Sequence, residues 1–318
     1  MPKRQDKHKR KQGWIGWMQY IGLRLFTALV QSFPISWNYV TCRVIGDLMF
    51  FLDHRHRDRA ERHIQLSFPD WPKEKVSATA RESMRSMVYL GLEVLYTPRL
   101  ITPRLWRKHI ILGENMHECV RLLIERKKGL LLLTGHFGNW EVLGYLLGTL
   151  GLPTVSVARR LDNPHIDEFV LGVREKTGQR ILDKKGAAKE MHGLLTDNEA
   201  IGFIADQDAG RRGMFVDFFG RKASAYKTIA LLAIRYEIPV VCGCAIRQGA
   251  KYEFEIGAGR IIYPHEWADA DDPVRWITQA YTSALEGMIR HQPGQYLWVH
   301  RRWKHRPKGE EQPKDGIA

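Results

Sequence analysis

Three groups of polar residues stand where an apolar run ends, and each has the side-chain types to do chemistry. The first is Thr134-Gly135-His136-Phe137-Gly138-Asn139-Trp140-Glu141, directly after Gly129-Leu-Leu-Leu-Leu-Thr134. A histidine with a carboxylate five residues on fits a general base, His136, held in one tautomer by an acid, Glu141. Spacing alone does not single it out, because His-x4-Asp/Glu also starts at His56, His109, His192 and His305. Only His136 follows an apolar strand, lies between glycines and leads into a helix with Asn139 placed to cap it. Residues five apart on one helix face about 140° away from each other. His136 therefore belongs in the loop and Glu141 in the first helical turn. There the helix N-terminus and the glycine N–H groups are expected to stabilise a developing oxyanion.

The second group is Val157-Ala-Arg159-Arg160-Leu-Asp162-Asn163-Pro164. Arginine at a strand end suits a phosphate or carboxylate, although a solvated turn is the plainer account of these residues taken alone. The third is Asp206-Gln207-Asp208-Ala-Gly210-Arg211-Arg212-Gly213, whose acids suit sugar hydroxyls, an arginine or a cation. With no third ligand in view, no metal is expected. Gly-x-Ser-x-Gly, the phosphate loop, Gly-x-Gly-x-x-Gly and His-Glu-x-x-His are all missing from the sequence.

The elements that must carry these groups alternate from Met116 onward. Strands are expected at 129–134, 154–158, 200–205 and 239–246, with helices between them, and Lys251–Ile256 alternates as an edge strand would. Such alternation predicts an α/β fold with a mostly parallel sheet flanked by helices, its ligands beyond the C-terminal strand ends. Residues 35–107 read as helical, broken at Pro69 and Pro72 and bounded by Pro98 and Pro103. The expected organisation is a basic arm and anchoring helix (1–31), a helical subregion (32–110), the α/β core (111–308) and a flexible tail (309–318).

Composition sets the outer limits. With 318 residues and 44% hydrophobic content, the chain can build a sizeable core, which excludes disorder and fibres. Its net charge of +14 is concentrated at the ends, with six Lys/Arg in residues 1–12 and five in 299–308. Basic ends suit nucleic acid, an anionic membrane or an acidic partner, and no groove-reading motif supports nucleic acid. Cys42, Cys119, Cys242 and Cys244 are too scattered for a disulfide scaffold, and Cys242-Gly243-Cys244 reads as buried strand. Residues 14–30 form an apolar run interrupted by Arg24, which leaves a marginal span, an interfacial helix anchored by Trp14, Trp17 and Tyr20, or a buried helix.

With those groups in hand, residues 14–307 resemble the late acyltransferases of lipid A biosynthesis. The resemblance rests on Arg59-Ala-Glu-Arg-His-Ile-Gln-Leu-Ser-Phe-Pro69, Gly135–Glu141, Arg159 with Asp162-Asn163-Pro164, Asp206-Gln207-Asp208 with Phe215…Phe218-Phe219-Gly220, and Gln295-Tyr-Leu-Trp-Val-His-Arg-Arg-Trp-Lys304. It implies a glycerol-phosphate-acyltransferase-like fold with a membrane-associated N-terminal helix, at the cytoplasmic face of a bacterial inner membrane. It also implies an acyl-carrier-protein thioester as donor, a hydroxyacyl chain of a lipid A precursor as acceptor, contact with anionic lipids and no cofactor. His136 and Glu141 would be catalytic. Asn139, Arg159, Asn163, Asp206, Gln207 and Asp208 would bind substrate, with Arg159 holding a phosphate or the oxyanion. Phe215, Phe218 and Phe219 are read as core, and otherwise as the wall of an acyl pocket. The rival enzyme reading is a CoA-dependent acyltransferase of a glycolipid or phospholipid.

Overall fold

A computed structural model describes residues 3–113, 115–152, 154–158, 160–183 and 186–310, with the backbone alone for residues 3–12, 187 and 188. Four helices come first: α1 (Lys3–Gln31), α2 (Ile35–Leu52), α3 (His54–Ser67) and α4 (Lys73–Leu100). The strands that follow are β1 (Ile110–Leu112), β2 (Leu130–Thr134), β3 (Val155–Ala158), β4 (Arg180–Asp183), β5 (Ala200–Ile204), β6 (Met214–Phe218), β7 (Arg221–Ala225), β8 (Val240–Arg247) and β9 (Phe254–Ile262). Between and after them lie α5 (Met116–Glu125), α6 (Trp140–Thr149), α7 (Pro164–Glu175), α8 (Ala187–Thr196), α9 (Lys227–Tyr236) and α10 (Pro273–His291).

Seven strands form one sheet in the order β1-β9-β8-β2-β5-β3-β4. From β8 to β4 all neighbours are parallel, while β9 runs antiparallel to β8 and β1 follows β9. The fold is therefore α/β with a mostly parallel sheet flanked by helices. Leucines of β2 are buried on both faces, as the unbroken apolar run requires. Cys242 and Cys244 are enclosed in β8, where burial pushes both thiols up to about 12.

Several expectations change. The alternating segment near residue 254 is no edge strand, because β9 extends to Ile262 and lies between β8 and β1. Strands β1 and β4 form the edges instead, each too short to show a period. Pro98 does not end α4, which runs through it to Leu100. Phe218 and Phe219 are core, packed with Tyr296, Trp298 and Trp303. Phe219 and Gly220 form the β6–β7 turn with φ of 52° and 69°, the double positive φ that a tight hairpin needs. Among the described residues no helix is long and apolar enough to cross a membrane. The expected tail falls largely on 311–318, outside the described residues.

One register fixes the geometry that matters. Strand β2 pairs with β5 residue for residue, ending at Thr134 opposite Ile204. Parallel neighbours lie about 4.8 Å apart, so residues two steps beyond each end, His136 and Asp206, emerge side by side. The loop after β2 is clamped between β8 and the C-terminal segment. The Asn139 N–H donates to Ala245 O (2.8 Å), Gly138 N–H to Gln295 O (3.1 Å), and Leu297 N–H to His136 O (3.0 Å). At Gly138, φ is +61° and a Cβ would fall 2.0 Å from Ala245 O, so only glycine fits.

Beneath the clamp lies a sealed charge pair. Glu93 and Arg247, with side chains 0% and 2% exposed, form an ion pair. Glu93 also accepts from Tyr39 Oη (2.8 Å) and Asn139 Nδ2 (2.7 Å). Removing one partner of such a pair strands the other charge away from water, at a cost of about 3–5 kcal/mol. Glu93→Ala is therefore expected to lower unfolding free energy by about that amount, read from chemical denaturation. A loss below about 1 kcal/mol would show that the pair does not brace the fold.

Candidate active site

Residues from three chain segments meet above the C-terminal ends of β2 and β5. His136 Nδ1 lies 2.9 Å from Asp206 Oδ1. A carboxylate only accepts, so Nδ1 carries the hydrogen and Nε2 keeps its lone pair. The imidazole is 18% exposed and the carboxylate 1%, so the ring can be reached from outside while the carboxylate behind it is sealed. Gln207 Nε2 stands 3.3 Å from His136 Nε2. Trp140 packs edge-on against the imidazole at 4.9 Å, and His300 lies parallel to it at 6.4 Å.

The charges reinforce this arrangement. Burial alone would lower the pKa of His136, yet the charge and hydrogen bond of Asp206, then the charge of Glu141, raise it above the ordinary value. Burial alone would raise Asp206, but the imidazole and then Arg302 hold it below the usual carboxylate range. Asp206 Oδ2 has no hydrogen-bond partner. The Tyr296 hydroxyl neighbours this carboxylate, and burial, then the Asp206 charge, push its ionisation far up, so it stays a neutral O–H.

Glu141 takes a different place from the one its spacing suggested. Its carboxylate is bound side-on by Arg174, at 2.9 Å to Nε and 2.5 Å to Nη2. It influences His136 through space, while Asp206 makes the orienting hydrogen bond. The reason is geometric: Glu141 projects from α6 toward α7, whereas the strand register puts Asp206 beside the ring. Two further assignments change. Asn139 caps α6 by accepting from Val142 N–H (2.9 Å) and gives its amide to Glu93, so it is enclosed and braces the loop rather than meeting substrate. Asn163 caps α7 and donates to Gly16 O (3.0 Å) and Gln19 Oε1 (2.9 Å), which fastens α1 to the body. Nor are all the loop N–H groups available for an oxyanion, because those of Gly138 and Asn139 already serve carbonyls.

Asp208 pairs with His305 at 2.6 Å and anchors the C-terminal segment. Arg302, 2% exposed, donates to Gln207 O (3.3 Å) and to Ser224 O, supporting the 206–208 loop from below. Arg160 reaches Asp167 Oδ2 at 2.9 Å, and Arg159 lies outside the described residues. Among the described residues no group of three His, Cys, Asp or Glu is placed to hold a metal ion. Arg174 and Tyr296 had no role assigned from the sequence, and His300 and Arg302 figured only within a basic patch expected to face a carrier protein or lipid phosphates. The C-terminal group was visible only as a motif, and Arg174 has no local signal inside α7.

Beside the dyad lies an apolar cavity of about 120 Å³ between α6 and the sheet, walled by Leu132, Leu143, Leu147, Phe203 and Val241. Thr134, Trp140 and Glu141 line its end nearest His136. Trp140 also lines a narrow cleft that holds His136, so its indole divides the base from the cavity.

The imidazole, held in one tautomer, stands beside an apolar cavity at the strand ends of an α/β sheet, where such folds place their ligands. Residues 1–305 match the family described as bacterial lipid A biosynthesis acyltransferase, and the chain belongs to that family. It is thus an acyltransferase. It is 25% identical over 306 residues to the lipid A biosynthesis lauroyltransferase of Escherichia coli K12, covering 92% of this chain and 93% of that one. It is 28% identical over 254 residues to a lipid A biosynthesis acyltransferase of Haemophilus influenzae, covering 78% and 77%. A phosphatidylinositol mannoside acyltransferase of Mycolicibacterium smegmatis is 28% identical over 187 residues, covering 57% and 58%.

Because Asp206 raises the His136 pKa, the imidazole is expected to titrate above the ordinary value of about 6.5 in the natural protein. In Asp206→Asn, burial acts without that opposing charge, and titration is expected below 6.5. NMR of the imidazole signals reads this directly, and an unchanged midpoint would mean that Asp206 does not set the charge of the base.

Proposed function

We propose that the enzyme moves a fatty acyl chain from an acyl-carrier-protein thioester to a hydroxyl on a hydroxyacyl chain of a lipid A precursor, with His136 as general base. The observation that carries this reading is the His136–Asp206 hydrogen bond beside an apolar cavity, in a chain of this family. The acceptor hydroxyl displaces Gln207 from Nε2 and gives its proton to His136. Asp206 stabilises the resulting imidazolium. The acceptor oxygen attacks the thioester carbonyl, and the C–S bond breaks as the tetrahedral intermediate collapses. The departing sulfur takes the proton back from Nε2. Glu141, held by Arg174, adds negative potential at the ring and fixes the start of α6. The acyl chain lies in the cavity, passing Trp140, and Arg159 holds a phosphate or the oxyanion.

General-base catalysis of this kind contributes about 10²–10⁴-fold. His136→Ala is expected to lose at least that much turnover while keeping the natural circular dichroism spectrum. The readout is mass spectrometry of lipid A precursor incubated with carrier-protein thioester: one added acyl mass with the natural protein and none with the variant. Undiminished transfer by the variant would remove His136 from the mechanism. The mycobacterial relative keeps a second reading open, a mannosylated lipid acceptor with a CoA donor. Product with that pair and not with the lipid A pair would favour it.

We also propose that the enzyme works on an anionic membrane surface, the cytoplasmic face of the bacterial inner membrane. Support comes from α2 as much as α1. Trp37, Val40, Val44, Leu48 and Phe51 recur every three or four residues along α2 and are all at least half exposed. Trp14, Trp17 and Phe26 are exposed on α1. From the sequence α2 has no expected lipid contact, and the first helix is the expected anchor. The 54–63 run reads as solvated or headgroup-facing, and the basic 300–308 patch as facing a carrier protein or lipid phosphates. Exposed apolar residues on two successive helices suit a protein lying in one leaflet. Val44→Asp with Leu48→Asp is expected to shift the protein from pelleted anionic vesicles to the supernatant in co-sedimentation. Undiminished pelleting would exclude α2 from the contact.

A further inference from the structure

Acyl transfer through a tetrahedral intermediate needs a donor for its negative oxygen, and several donors near His136 are already committed. The N–H groups of Gly138 and Asn139 go to Gln295 O and Ala245 O. The Arg174 fork is filled by Glu141, and Arg302 donates to Gln207 O and Ser224 O. One donor beside the base has no other task. Gln207 Nε2 lies 3.3 Å from His136 Nε2, and among the described residues the Gln207 side chain makes no further hydrogen bond. Because Nδ1–H is committed to Asp206, Nε2 is the accepting nitrogen. The atom of Gln207 that faces it is therefore the N–H end of the amide.

The backbone of Gln207 is fixed, while its side chain is held by that single contact. Arg302 Nη1 holds its carbonyl at 3.3 Å. On one side Asp206 is bonded to the imidazole, and on the other Asp208 meets His305 at 2.6 Å and Gly210 N–H at 3.2 Å. Rotation about the side-chain bonds, between staggered positions, moves the amide without disturbing the turn. Its neutrality also suits the place. A guanidinium there would oppose the raised proton affinity that Asp206 and Glu141 give His136, whereas an amide donates without weakening the base.

We propose that Gln207 is an oxyanion donor of the acyl transfer: the amide that rests on the lone pair of His136 moves aside as the acceptor hydroxyl binds, and then donates to the thioester oxygen. This role rests on the reaction proposed above. Reach favours it, because the oxyanion is only two bonds from the acceptor oxygen that Nε2 deprotonates. As the O–C bond forms, the carbonyl π electrons move onto their oxygen, which accepts from the Gln207 N–H. On collapse they return, the C–S bond breaks, and the sulfur takes the proton from His136 Nε2. Gln207 keeps its own hydrogens throughout. An oxyanion accepts more than one hydrogen bond, so the role leaves room for Arg159 as a second donor.

The test uses Gln207→Met, which keeps the length and removes the N–H, and Gln207→Glu, which keeps the shape and sets a carboxylate in its place. Both are expected to lose about 10²–10³-fold in kcat with KM little changed, the mark of an interaction made in the transition state. A kcat that rises in Gln207→Met would show that the amide only covers the base. A loss carried by KM alone would make Gln207 a ground-state contact, and either result overturns the role. A second measurement is independent of turnover. Methyl dodecylphosphonate carries a tetrahedral anion on an apolar chain, and dodecanol carries the chain without it. By calorimetry, Gln207→Met is expected to bind the phosphonate about tenfold or more weakly than the natural protein, and to bind dodecanol equally well. Equal weakening toward both, or none toward the phosphonate, would overturn the proposal. Phosphonate binding that depends on Gln207, in a protein that acylates neither the lipid A precursor nor the mannosylated lipid, would sink the proposed substrates and leave the oxyanion donor standing.

Discussion

A neutral imidazole has one nitrogen that can take a proton, and whatever binds the other nitrogen decides which one. Here that decision rests on a parallel strand pair. Because β2 and β5 end level with each other, His136 and Asp206 leave the sheet as neighbours, and the carboxylate is sealed where it can bind only the imidazole's far side. The remaining parts keep that pair fixed. Strand β8 and residues 295–297 hold the loop backbone, Arg302 supports the 206–208 turn, and Arg174 holds Glu141 on the α7 side, from where its charge reaches the ring. A shift of one residue in the β2–β5 register would turn alternate side chains to the opposite face and separate base from acid.

The site is electrostatically layered. At its centre is an imidazole whose affinity for a proton is strengthened by two carboxylates, one bonded and one acting through space. Behind it is a carboxylate kept charged despite complete burial, with Arg302 among its supports.

How much of this was legible in the sequence follows from which interactions are local. The strand-to-helix turn at His136 and the α6 cap at Asn139 are local, and the apolar run, the glycines and the Asn can be read directly. Membership of Asp206 in a strand-end group was also legible. Its identity as the partner of His136 was not, because β3 and β4 intervene in sequence and lie on the far side of β5 in the sheet. Spacing offered Glu141 instead, five residues away, and the helix turned it toward Arg174. The short strands β1 and β4 gave no periodic signal, and the alternation in β9 cannot tell an edge from an interior position when its outer neighbour has three residues. The exposed apolar stripe of α2 is present in the sequence, but an apolar helix face reads the same whether it is buried in the core or left outside it.

The link between Tyr39 and Glu93 carries a practical consequence. Tyr39 sits on α2, the same helix whose outer face is apolar, and its hydroxyl helps satisfy the carboxylate that also holds Asn139 at the mouth of α6. Trimming the chain to begin after α2 would look like an attractive route to an easily handled enzyme, since it discards the greasiest surface. It would also leave a sealed carboxylate short of a donor, one step from the catalytic loop. Solubility and an intact site are thus mechanically tied, and an N-terminal boundary for expression belongs before Ile35 rather than after Leu52.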